Sequence, residues 1–225
     1  MLACLCFVVA LFALSNWLVQ ILMIGPRNLI DTAENARYFP SNLKWDPAIN
    51  LVKSVEGAIG YDARVQFELG RMLRFKTASE HVDSNQARAV LLDSASHLWK
   101  AVRLRPMWGT AWAELAHVQL MLGVNDLARV SLRNAALLSG YDGSVQSLLL
   151  WDGFALWEEL DQAEQQQLLK VAEHVLEFGP KYWLLDPASA YYRDTVVSPL
   201  LEDYPSLQKR FEKMTSSRKP RNGGS

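Results

Sequence analysis

Three arginines, Arg64, Arg71 and Arg74, recur along one stretch of the chain with Phe67 and Phe75 set among them. At helical spacing these residues share a face. Guanidinium forks on such a face bind carboxylates bidentately, and aromatic rings stack on sugars or receive cations. That chemistry suits an acidic chain or an anionic glycan, although a run of arginines also serves simply to keep a helix face soluble. The four histidines are His81, His97, His117 and His174. Glu114-x-x-His117 has the spacing of half a di-iron motif, which needs a second such pair and further glutamates. Asp93 and His97, four apart, can pair locally on a helix. The chain contains no His-Glu-x-x-His, no cysteine cluster, no glycine-rich phosphate loop and no Gly-x-Ser-x-Gly elbow. The sequence therefore points to no metal, no cofactor and no enzyme.

The elements that would position these residues are best defined over residues 109–140. In the first half Trp112, Leu115, Ala116 and Gln119 make one helical stripe. Gly123 ends that helix, and Asn125 or Asp126 can cap the next. In the second half Ala128, Leu132 and Ala135 repeat the stripe, and Gly140 closes the unit. Trp112, Trp99 and Trp157 sit on apolar stripes and are expected in the core rather than at a ligand.

The seven positions Trp112, Leu115, Ala116, Gly123, Ala128, Leu132 and Ala135 resemble the tetratricopeptide repeat, in which small and large residues interlock on facing helices. A preceding, irregular repeat is carried by Leu69, Gly70 and Leu73, then Leu98, Ala101 and Pro106, with Ser94 where the pattern has alanine. Its internal loop is about a dozen residues too long for the ~34-residue period. Residues 145–160 and 163–178 form a third, degenerate or capping pair. The resemblance implies an all-α fold, an α-solenoid of helical hairpins whose first helices line a groove. In that register Arg64, Phe67, Arg71 and Arg74 face the groove from the first unit. Thr110, Ala113, His117 and Leu120 do so from the second, and Ser144, Ser147 and Trp151 from the third. Chaperone-binding members of the family use Lys and Asn at set groove positions. Here those positions hold Phe67, Arg71, Thr110, Glu114 and Val118, so that activity is not implied.

Residues 2–24 carry no charge and are long enough to span about 30 Å of hydrocarbon. Gly25-Pro26 is expected to break the helix there, with Arg27 at the border. The long apolar run and the missing basic stretch favour an uncleaved anchor over a signal peptide or a buried helix. Asn16 and Gln20 share one face and could touch another membrane helix. Flanking charges hardly set the orientation; a short N-terminus before a large domain fits a signal anchor whose domain is exported. Cys4 and Cys6, the only cysteines, lie in this segment and cannot staple the rest of the chain.

The expected organisation is an anchor at 1–25, a connecting segment with short helices at 26–60 (31–38 and 47–55), helical repeats at 61–180, a helical cap at 181–214 and a disordered tail at 215–225. Residues 76–83 read as a loop, with Ser84 capping the helix after it. In the tail, Arg218, Lys219 and Arg221 could touch anionic lipid or polymer. A net charge of −1 argues against binding nucleic acid by phosphate neutralisation.

The layout as a whole resembles the membrane-anchored accessory proteins of bacterial exopolysaccharide clusters, the VpsP type. Carrying it are the run from Arg103 to Ala116, the stretch 151–160 and the helix start at Asp161–Glu164. The resemblance implies an inner-membrane, single-pass scaffold with a periplasmic domain. Its partners would be other membrane proteins of an assembly complex, with acidic polysaccharide as a further ligand. A scaffold for another envelope complex, in secretion or division, is the alternative.

Overall fold

A computed structural model describes residues 7, 13–14, 17–35, 45–59, 62–79, 84–178 and 197–216. Among the described residues the fold is all-helical and contains no strand. Two compact units divide the chain: one holds residues 1–107 and 121–123, the other 108–120 and 124–225.

The first unit contains α1 (Ile24–Asn35), α2 (Trp45–Ile59), α3 (Ala63–Ser79) and α4 (Ser84–Leu104). α3 and α4 form its central hairpin, with α2 and α1 packed on α3. A Cβ on Gly70 would stand 2.5 Å from Cγ of Leu98, so only glycine permits this approach. The Ser94 hydroxyl, fully buried, donates to the Gly70 carbonyl at 2.7 Å. The serine that departs from the alanine pattern thus spends its polar group on the facing backbone. Trp45, Ile49, Val52, Val65, Leu69 and Met72 complete this core, and Trp45 stacks on Phe75 at 5.9 Å.

Several expectations are corrected here. Gly25-Pro26 does not end the helical course. Met23 N–H donates to Val19 O and Arg27 N–H to Met23 O, each at 3.0 Å, on either side of the proline. Pro26 removes one donor, and burial of Met23, Ile30 and Ala33 in the first core offsets that loss. The helix expected at 31–38 is therefore α1, placed earlier. Residues 76–79, read as loop, are the last turn of α3, and Gly57 lies inside α2. Among the described residues no helix is long and apolar enough to cross a membrane. Of the expected anchor, only residues 7, 13–14 and 17–24 are described, and both cysteines lie outside the described residues.

The second unit contains α5 (Gly109–Met121, its last residue in the first unit), α6 (Asn125–Ser139), α7 (Gly143–Ala155), a 3-10 turn (Trp157–Glu159) and α8 (Gln162–Glu177). Two short helices follow, α9 (Ser198–Leu201) and α10 (Pro205–Ser216). Ala113, Ala116, Ala128, Leu132 and Ala135 lie in one continuous core with Leu149, Phe154, Leu168 and Val171. Leu115 is buried as well, and Trp112 lies half-buried against the core. Small residues bring α5 and α6 together, and Ser131 Oγ donates to Gln119 Oε1 at 2.7 Å in their buried contact. Gly123, at φ +74°, is the left-handed residue that turns the chain after α5. The cap of α6 is Val124, with no side-chain hydrogen bond, so neither Asn125 nor Asp126 caps it. Asp161 and Glu164 form a reciprocal capping box on α8, and Arg129 of α6 bonds both carboxylates.

Residues 145–160 are not one helix: α7 stops at Ala155 and the 3-10 turn follows. Trp99 is also corrected, since it is 48% exposed rather than in the core. Thr215 and Ser216, expected in the disordered tail, are instead the last residues of α10, and the rest of the expected tail lies outside the described residues. Residues 181–196 of the expected helical cap, His81, and Arg218, Lys219 and Arg221 of the tail fall outside the described residues.

Gly153 of α7 repeats the device seen at Gly70. An added Cβ would stand 2.5 and 2.7 Å from the two methyl groups of Leu168. Gly153→Val should therefore cost about 1–3 kcal/mol, read as a lower urea midpoint. An unchanged midpoint would show that α7 and α8 do not meet so closely.

Candidate functional site

The residues expected to line a groove are divided between the two units. In the first, α3 presents Arg64 to solvent, whereas Phe67 is buried in the unit's interior at 4% exposure. Arg71 and Arg74 are also largely withdrawn. The Arg71 guanidinium lies 5.2 Å from the centre of the Phe67 ring and 3.5 Å from Glu68 Oε2. Arg74 is 8% exposed, with its guanidinium 4.0 Å over Phe75. The interleaving of arginines and aromatics is thus satisfied inside the protein, by cation–π contacts on the same helix.

Glu68, which the sequence reading passed over, joins these groups. Its Oε1 accepts from Arg27 Nε of α1 at 3.3 Å. Burial pushes the Glu68 carboxyl above the ordinary carboxylate range, against the pull of Arg71 and then Arg27. Arg27 also donates from Nη1 to Gln20 Oε1 at 3.0 Å, which ties the helical course before α1 to α3.

A second polar network crosses the same hairpin. Gln66 Nε2 donates to Glu56 Oε1 at 2.6 Å, which leaves Gln66 Oε1 to accept from His97 Nδ1 at 2.7 Å. His97 Nε2 lies 3.5 Å from Asp93 Oδ1, the pairing expected from their spacing. Lys53 reaches Asp93 at 3.5 Å, and Lys100 reaches Glu56 at 3.9 Å. Desolvation lowers the His97 pKa below its ordinary value and outweighs the carboxylates of Asp93 and Glu56; Lys100 and Lys53 act in the same direction as burial.

In the second unit, His117 of α5 meets Asp152 of α7, Nδ1 to Oδ1, at 2.8 Å. The Asp152 side chain is 3% exposed and the His117 side chain 26%. A buried carboxylate on Nδ1 fixes the ring orientation and leaves Nε2 for other contacts. Asp152 was missed, although a lone carboxylate inside the apolar run 148–156 signals a buried charge that needs a partner. Trp151 lies half-buried against the second core. Glu114 is buried at 2% exposure. Among the described residues no group of three or more His, Cys, Asp or Glu side chains could hold a metal ion.

No known family model, curated protein or solved structure matches this chain.

The His97 network gives a pH dependence with a definite sign. A folded-state pKa below the unfolded value of about 6.5 means full stability above that pH and loss as the pH falls. Wild-type protein should lose urea stability between about pH 7 and about pH 5 more steeply than His97→Gln. Equal slopes would show that the buried ring does not carry this dependence.

Proposed function

We propose that the chain is a membrane-anchored, tetratricopeptide-like scaffold that binds protein partners of an exopolysaccharide assembly or export complex in a bacterial inner membrane. Residues 2–24 supply the anchor and the helical hairpins the binding surface, with the domain on the periplasmic side. The observation that carries this reading is the repeated glycine–leucine interlock of antiparallel helices, Gly70 with Leu98 and Gly153 with Leu168. Such hairpins stack by nearest-neighbour packing and offer side chains along their first helices to a partner. His117 of α5 reaches solvent on the second unit, and Arg64 of α3 is the solvent-reaching polar group on the first unit's own surface. With Arg71 and Arg74 engaged on Phe67 and Phe75, a protein partner fits this surface better than a polyanionic glycan.

The experiment is deletion of the gene in the source organism, with surface polysaccharide measured and full-length protein recovered from its own membrane. The expected result is a several-fold fall in polysaccharide yield, restored by the wild-type gene. Co-purification of the glycosyltransferase and export components with the chain is also expected. Unchanged yield, with division or secretion proteins recovered instead, would move the scaffold to a different envelope complex.

A further inference from the structure

The helical course through residues 17–24 has two apolar sides with different fates. Val19 and Met23 are buried in the first unit's core, at 8% and 0% exposure. Trp17, Leu18, Ile21, Leu22 and Ile24 are exposed, Trp17 at 61% and Ile24 at 54%. So large an uncovered apolar surface marks a contact site. A cavity of about 640 Å³ opens beside it, and Trp17 and Gln20 form one wall. The opposite wall comes from Asp62 and Arg64 at the start of α3 and from Leu104 and Arg105 at the end of α4.

The charges around this cavity favour an anion. Arg64 and Arg105 are both exposed and bring two guanidinium groups. The one carboxylate, Asp62, is turned to the helix: its Oδ1 accepts from the backbone N–H of Arg64 at 2.7 Å and of Val65 at 3.2 Å. Gln20 accepts from Arg27 through Oε1, so its amide N–H groups remain as donors. Two planar forks and an amide around one hollow match the several oxygens of a phosphate group. Trp17 belongs both to the cavity wall and to the uncovered apolar face, as an indole at a bilayer interface would. A ligand covering both parts carries a phosphate at one end and hydrocarbon at the other.

We infer that this cavity seats the phosphate of an anionic membrane lipid, held by Arg64, Arg105 and Gln20, with its acyl chains along Trp17, Leu18 and Ile21. This rests on the membrane reading proposed above. Val19 and Met23 belong to the protein core, so only the other side of this helical course, with Trp17, Leu18 and Ile21, is left to meet lipid.

The test uses the full-length chain, floated with vesicles of phosphatidylcholine alone or mixed with phosphatidylglycerol, and native mass spectrometry of the lipid it retains. Wild-type protein should float with both and favour the anionic vesicles by about fivefold for each arginine. The double variant Arg64→Ala with Arg105→Ala should float equally with both and lose retained phosphatidylglycerol. Both side chains are exposed, so its helical circular dichroism should match wild type. Arg64→Lys with Arg105→Lys should keep part of the preference. Flotation of wild type with both vesicles but without preference, or preference kept in the alanine variant, would overturn the lipid site while leaving the anchor. Failure to float with either vesicle would remove the membrane reading and the site with it. Retention of inorganic phosphate without phosphatidylglycerol would overturn the lipid assignment.

Discussion

The close approach of paired helices at a missing side chain is the constraint on which the rest of this molecule depends. At Gly70 the backbone of α3 comes against Leu98 and the Ser94 hydroxyl of α4, with no room for a methyl group. That contact sets the depth at which α3 lies and hence which of its residues reach water. Phe67 and Leu69 then fall inside, Arg71 and Arg74 lie over aromatic rings, and Arg64 remains outside. The same logic acts at Gly153 and Leu168, where α7 meets α8 and Asp152 is carried inward to His117.

Buried polar groups then narrow the choice of register that apolar packing leaves open. Glu68 is stabilised only where Arg27 and Arg71 arrive together, and Gln66 only where Glu56 and His97 flank it. A slip of one residue in α3 would strand these groups without partners, at a cost of about 1–3 kcal/mol each. Their contribution is to specificity of packing more than to net stability, because desolvation offsets much of the attraction between buried charges.

The α5–α6 hairpin was legible in the sequence because its alanines and leucines keep helical period and Gly123 supplies the left-handed turn. The helix start at Asp161 and Glu164 was legible as well, and the structure makes it a capping box. Other features depend on contacts distant in sequence. The helix through Gly25 and Pro26 persists because Met23 and Ile30 are buried, which no local propensity records. Arg71 and Arg74 read as a charged face, yet the rings that take them up are one and four residues away on the same helix. Asp152 and Glu68 were each visible as a charge in an apolar setting, but His117 and Arg27, the partners 35 and 41 residues away, were not. Trp99 lies on an apolar stripe and still faces outward, because α4 buries its Leu98 side against Gly70.

The interlock at Gly70 is most directly measured by a double-mutant cycle in the full-length chain, comparing Gly70→Ala, Leu98→Ala and the combination by urea unfolding. Each single change should destabilise the first unit. The added methyl should be tolerated far better beside the shortened side chain, giving a coupling of about 0.5–3 kcal/mol in favour of the pair. Strictly additive losses would mean that α3 and α4 do not meet at this point, and the placement of every residue on α3 would have to be abandoned.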